Sequence, residues 1–489
     1  LSFVLTLPLK TEKFQEDILN KRFEIGRNIY NSILGIALKR YRNMIYSPEY
    51  KQIIQQLKQC KNDKERKLLY KQMNQLRQKY KLSEYSLDAD AKLIQHHFRD
   101  NIDAFTAQKI VTRVWVAFEK LIFSDGERVH FKKYGEINSV EGKSNDTGIR
   151  FKDNYICWLG LEIPVVIKTG YDKESLTNKI CYCRIIRKFI KNKYKYYIQL
   201  ILQGTPPLKI NYETGEIKHT TGYGKVGIDI GTQTIAISSN NDVKLLELAN
   251  KVNNIEKEKC KIQRYMDRSK RVNNPGNFNE DGTIKKQGNK KVVWMKSKKY
   301  IKAQNKLKEL YRRQSDIRRQ CHNEMCNWLI TLGNEFYVED MNYKGLQKRS
   351  KKTEKNEQGK FKKKKRFGKS LANKAPAMLL TIFNNKLKWE DNQLIKVNTR
   401  ELKASQYNHL NGEYNKKKLS QRWNEMEYKG DNLKIQRDLY SAFLIQHVND
   451  DLKTVNNELC NEDFDNFIRL HDTEIKRLQN KQNLSSMGI

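Results

Sequence analysis

Residues 225–239 read KVGIDIGTQTIAISS. The apolar alternation predicts two short strands joined at Gly231, and the first carries a single carboxylate, Asp229, into the turn. An acid set among buried neighbours needs a counter-charge or a ligand, so Asp229 is a candidate metal ligand. Working outward, two more acids stand in comparable settings. Residues 334–341, NEFYVEDM, are an aromatic and β-branched run ending in Glu339, and residues 435–445, IQRDLYSAFLI, place Asp438 at the start of an apolar helix. The order is Asp, Glu, Asp, with separations of 110 and 99 residues. Taken singly, each has an innocent explanation: a turn-forming Asp, a solvated Glu after a strand, an Asp that favours a helix dipole. Asp340, next to Glu339, points to the other face of its strand by alternation.

Composition narrows the partner. Ninety-five Lys and Arg against 56 Asp and Glu give a net charge of +39 at pH 7, a field suited to counterion release from a phosphate backbone. With 489 residues and 38% hydrophobic content the chain can bury cores in two or three domains, which excludes a basic tail. No run of about 18 apolar residues is present, and the start, LSFVLTLPLK, lacks the pattern of a signal peptide. A cytoplasmic protein with no membrane partner is expected. The eight cysteines are scattered, so reduced thiols are expected. Cys321, His322 and Cys326 lie close in a helical run but lack a visible fourth metal ligand.

GIDIG, VEDM and RDLYSA resemble the three motifs of RuvC-type nuclease domains, and specifically those of transposon-encoded TnpB proteins and the related compact type V CRISPR effectors. The resemblance extends to GKSLANKAPAMLLTIFNNKLKW and LIKVNTRELKASQ and covers residues 224–448. It implies an RNA-guided DNA endonuclease with guide RNA and double-stranded target DNA as partners, and leaves open whether two copies share one guide. Base pairing would then read the sequence. The catalytic and metal residues would be Asp229, Glu339 and Asp438, holding two Mg²⁺ or Mn²⁺ ions that stabilise the attacking water and the leaving oxygen. Asp229 would bridge the ions, Glu339 would also orient the water, and Asp438 would serve the opposing ion.

The expected fold class is an α+β multidomain chain. Periodic apolar residues over 9–44, 50–80 and 89–123 give an N-terminal helical lobe, 1–122, which opens with a strand. Residues 123–204 are short aromatic or β-branched runs, a β-barrel-like, wedge-like domain. A linker, 205–223, leads to an RNase H-like (RuvC) α/β nuclease domain, 224–400. Inside that domain 273–291 reads as a mobile insertion, and 343–369 as a charged loop able to order on phosphate. The third motif helix, 435–454, and a polar appendage, 455–489, complete the chain. Lys132-Lys133-Tyr134 and the run 193–197, KYKYY, could stack bases and pair phosphates, and could equally be half-exposed strand.

Two departures stand out. The resembled proteins usually carry a zinc ribbon of two CxxC pairs between the second and third motifs, whereas here no cysteine lies between Cys326 and Cys460. Residues 401–434 are thus a degenerate zinc-ribbon-like insertion in which His409 is the sole soft ligand, and zinc is not expected. The third motif also commonly has Asn two residues after the acid, where this chain has Tyr440. These departures keep a nuclease-inactive RNA-guided DNA-binding repressor as the alternative. A strand-transfer transposase of the DDE type fits less well, because such enzymes run Asp, Asp, Glu.

Overall fold

The structure is a computed structural model that describes all residues except 124–125, 212, 286–291, 350–352, 360–366, 419–420 and 481–486. The chain is a mixed α+β protein of two compact units, Leu1–Pro207 and Leu208–Ile489.

The first unit opens with β1 (Ser2–Pro8) and five helices: α1 (Lys13–Tyr46), α2 (Pro48–Gln59), α3 (Asp63–Lys79), α4 (Glu84–His97) and α5 (Ala104–Phe123). The span expected as one helix over 50–80 is two. Asn62 interrupts it by accepting a hydrogen bond from Lys64 N, a side-chain N-cap that starts α3 afresh. Strands β2 (Ser139–Glu141), β3 (Arg150–Lys152), β4 (Tyr155–Trp158) and β5 (Leu161–Pro164) follow. A short α6 (Gly170–Ser175) then leads to β6 (Ile180–Ile190) and β7 (Lys193–Gln203). They form a sheet of order β1-β7-β6-β2 and a smaller one, β3-β4-β5. The opening strand pairs antiparallel with β7, so the helical and β-rich segments close into one unit. Buried Arg187 ties them, its guanidinium lying over Phe23 and Tyr194 and donating to Asn20 Oδ1 at 2.7 Å. In the KYKYY run Tyr196 is core, with its hydroxyl bonded to Asn20, and Tyr194 is covered by Arg187. Tyr134 remains open to solvent.

The second unit is built on a five-stranded sheet of order β10-β9-β8-β11-β12: β8 (Lys225–Ile230), β9 (Thr234–Ser238), β10 (Val243–Glu247), β11 (Glu335–Glu339) and β12 (Leu394–Val397). The first three run antiparallel, and β11 and β12 run parallel to β8. Between β10 and β11 lies the helical pair α7 (Glu256–Asn273) and α8 (Lys298–Ile330). Between β11 and β12 lie α9 (Tyr343–Gln347), α10 (Gly368–Lys374) and α11 (Pro376–Leu387). Within the expected mobile insertion, 275–277 is a turn of 3₁₀ helix and Phe278 bridges to Ile284, while 286–291 lies outside the described residues. Much of the expected phosphate-binding loop, 350–352 and 360–366, also lies outside them.

Strand alternation sorts the two faces of this sheet. Val226, Ile228 and Ile230 pack with Phe336 and Val338 against Leu329 of α8 and Leu379 and Phe383 of α11. The other face is covered by α13 (Arg437–Gln446) and α14 (Asn457–Gln479). Before α13 come α12 (Thr399–Leu402), a small hairpin of β13 (Tyr407–Asn408) with β14 (Glu413–Tyr414), and a longer one of β15 (Trp423–Tyr428) with β16 (Asp431–Gln436).

The C-terminal segment is not an appendage. In α14, Cys460, Phe464, Phe467, His471, Ile475 and Leu478 are buried in the same core as α13. Fully buried Glu474 accepts from Leu245 N at 2.9 Å and pairs with Arg477, so α14 clamps the β10 strand. Its apolar positions recur every three or four residues, but the many polar residues between them give a surface-like composition.

Candidate metal and phosphate site

The site follows from register. Strands β8 and β11 are adjacent and parallel, with Ile228 beside Val338, so Asp229 and Glu339 follow as neighbours on the face turned to α13. Adjacent strands lie about 4.8 Å apart, so the two carboxylates feel each other's charge. Helix α13 reaches that face because residue 227 is glycine. A Cβ there would lie 2.0 Å from the Ala442 carbonyl oxygen and 2.4 Å from Gln446 N. Direct backbone contact between strand and helix brings the start of α13, and Asp438 in its first turn, to the end of β8.

The helix start is held independently. Gln436 caps it by accepting from Leu439 N at 2.8 Å, and donates from Nε2 to the Met487 carbonyl at 3.1 Å. Its backbone N–H donates to His471 Nε2 at 3.0 Å. Asp438 is thus positioned in part by the C-terminal helix.

The three acids expected from the sequence line one cavity of about 450 Å³. The Gly231–Thr234 turn and the small side chain of Ala236 leave room beside Asp229, and Lys416, Lys417, Arg422 and Arg437 supply positive charge. Asp438 is engaged: Arg437 Nη2 donates to Oδ1 at 2.9 Å and Arg422 Nη1 to Oδ2 at 3.4 Å. Among the described residues, Asp229 and Glu339 are in no ion pair. Burial, and then the charges of Glu339 and Asp438, push the Asp229 carboxyl well above the usual carboxylate range. Burial, and then Asp438, push Glu339 to about 7. Asp340 faces away, as alternation requires, and pairs with Lys396 at 2.8 Å.

A set of carboxylate oxygens, two of whose three members are in no ion pair among the described residues, suits a hard divalent cation. Asp229 and Glu339 fit that demand. Asp438 fits it by chemistry but is held by two arginines, and among the described residues no three acid, His or Cys side chains stand at closed metal-ligating distance. The donor set is present in an open arrangement.

Three features were not foreseen. Arg422, Lys416 and Lys417 come from the degenerate insertion, and no local pattern marks which of the many basic residues reach the acids. Tyr343 stands close enough for Asp229 and Glu339 to help burial raise its hydroxyl, which donates to the Ile230 carbonyl at 3.4 Å. His409 and Tyr440, both singled out as departures, meet each other. Tyr440 Oη lies 2.6 Å from His409 Nδ1 and accepts from His409 N at 3.1 Å, inside an aromatic cluster with Phe443, Phe464 and Phe467. Burial, and then His447, lower His409 to about 4. Side chains close the small turn as well: Asn408 accepts from Leu410 N and Asn411 from Glu413 N. Cys321 and Cys326 are buried in separate apolar clusters.

Among the described residues, no helix is long and apolar enough to cross a membrane. No protein-family model matches the chain, and no curated protein sequence does. Among solved structures, the chain is similar to one in a Cas12f1–sgRNA–target DNA complex, at 12% identity and a TM-score of 0.42, over 91% of this chain and 98% of that one. It is similar to another in a CRISPR-Cas12f ternary complex, at 13% identity and a TM-score of 0.25, over 89% and 85%.

Proposed function

We propose that this protein is an RNA-guided DNA endonuclease of the TnpB and compact type V kind, which hydrolyses phosphodiester bonds at Asp229, Glu339 and Asp438. The observation that carries the reading is the convergence of these acids, 110 and 99 residues apart, on one cavity that cationic side chains also line. The mixed sheet that presents them is read as RNase H-like. RNA guidance rests on the motif resemblance and on a charge of +39 in a chain with no compact base-reading motif.

Divalent ions held by the three carboxylates would stabilise the charge of the attacked phosphate and activate water. The chain's own residues supply the rest. Glu339, beside Asp229 on the adjacent strand, would hold an ion and orient that water. Arg422 and Arg437 carry fixed charge into the cavity, where a phosphate can compete for the guanidinium groups that Asp438 now engages. The same Arg–Asp438 contacts favour a second reading, a guide-dependent DNA-binding protein without cleavage.

Cleavage of a randomised-motif DNA library by the protein with its co-purified RNA, in Mg²⁺ and beside Asp229→Ala, tests both. Guide-dependent cuts lost in the variant are expected. RNA and target binding without cuts would establish the second reading, and neither RNA nor target specificity would refute RNA guidance.

A further inference from the structure

A second cavity, of about 330 Å³, adjoins the first, and Glu339 and Met341 line both. It runs between α11 and β12. One face of α11 buries Leu379, Phe383 and Leu387 in the core, and the other presents Ala377, Thr381 and Asn385, four residues apart, to this groove. Leu394 and Lys396 of β12 form the opposite lip, and Tyr343 lines the end next to the acids. Asn384 is fixed there because its Oδ1 accepts from Leu394 N at 3.0 Å, which leaves its amide N–H groups to donate.

We propose that this groove is a one-nucleotide subsite that seats the base next to the cleaved phosphate, with Asn384 and Asn385 at the base edge and Tyr343 at the mouth. The inference rests on the nuclease reading and adds to it the residues that sense the neighbouring base. A strand whose phosphate lies over the three acids must lay its next nucleoside to one side, and the wall shared through Glu339 and Met341 makes this groove continuous with that position. Its volume is at the small end of the range for small-molecule sites, enough for one nucleoside and too little for a base pair. Paired amides can donate to and accept from a base edge, while Lys396, paired with Asp340 at 2.8 Å, closes one side of the groove. Tyr343 lines the mouth of the groove, where an aromatic ring can stack on a base. Cleavage should therefore depend on the base at that one position.

The test is cross-linking that does not require cutting. Full-length Asp229→Asn protein with its co-purified RNA, in Ca²⁺, is irradiated with target DNA matched to that RNA and carrying one 5-iodouracil at successive positions, and the linked peptide is mapped. The expected result is linkage to Tyr343 or to 377–385 when the probe is one nucleotide from the bond that wild type cuts. Adding Ala377→Trp, which fills the groove from an exposed helix position, should lower that yield about fivefold, with an unchanged melting temperature showing an intact fold. Linkage elsewhere, or a yield that Ala377→Trp leaves unchanged, overturns the proposal. Groove linkage in a protein whose wild type cuts no DNA refutes the nuclease reading and supports the groove as a strand-binding site; cutting that Asp229→Asn abolishes, with linkage elsewhere, refutes the groove alone.

Discussion

Gly227→Ala isolates the contact that assembles the site. The glycine is required for space. The added methyl would lie 2.0 Å from the Ala442 carbonyl, and ordinary contact begins near 3.4 Å, so α13 must retreat from β8 by about 1.4 Å. Overpacking of this kind costs about 1–3 kcal/mol, which for a domain of this size lowers the melting temperature by about 2–4 °C per kcal/mol. Asp438 rides on the displaced helix, and a misplacement of about 1 Å can cost about 100-fold in rate. Thermal unfolding and single-turnover cleavage of the full chain measure both effects, with Gly276→Ala as the control, since a Cβ at residue 276 meets nothing within 4 Å. A Gly227→Ala protein that melts and cuts like wild type would refute direct strand–helix contact as the means by which Asp438 reaches Asp229.

Asp229→Asn should abolish cleavage yet raise the melting temperature in chelator by a few degrees, because it removes one of three like charges from a buried cluster; a lower melting temperature would contradict the crowding of charge. Glu339 titrates near 7 in the folded protein against an ordinary 4.5, so the native state holds the proton more tightly. Stability in chelator should be full below about pH 4.5 and fall as the pH rises to about 7, and Glu339→Gln should flatten that slope in pH-resolved denaturant titrations. Tyr440→Phe leaves His409 Nδ1 and N–H without their buried partner and should cost about 1–3 kcal/mol, whereas a zinc-selective chelator should leave the wild-type melting curve in place. Glu474→Ala should cost about 1–3 kcal/mol in urea unfolding, since it leaves the buried Leu245 N–H without its acceptor.

The acids were legible in the sequence because a carboxylate in an apolar strand is conspicuous and alternation decides its face. Glu339 and Asp340 sort to opposite sides of β11 as the pattern requires. Asp438 was legible as the first-turn residue of an apolar helix. The partners of these residues were not legible. Arg422 approaches Asp438 only because β15 and β16 fold back before α13, and a basic residue in a chain with 95 of them carries no local mark of that. His409 and Tyr440 each looked like a loss when taken alone. Their meaning lies in a contact across 31 residues, which periodicity does not report. The role of α14 was hidden for a related reason: its polar residues set its composition, and its buried stripe has meaning only against α13.

The clamp that α14 places on the sheet bears on when the three acids come together. During synthesis the strands carrying Asp229 and Glu339 leave the ribosome long before residue 438, and the cap that holds the start of α13 depends on His471 and Met487. A nascent chain therefore exposes two of its acids without the helix that aligns the third. Assembly waits on contacts between distant segments, which are the slow ones in folding. Translation order alone keeps the unfinished chain from aligning the three acids.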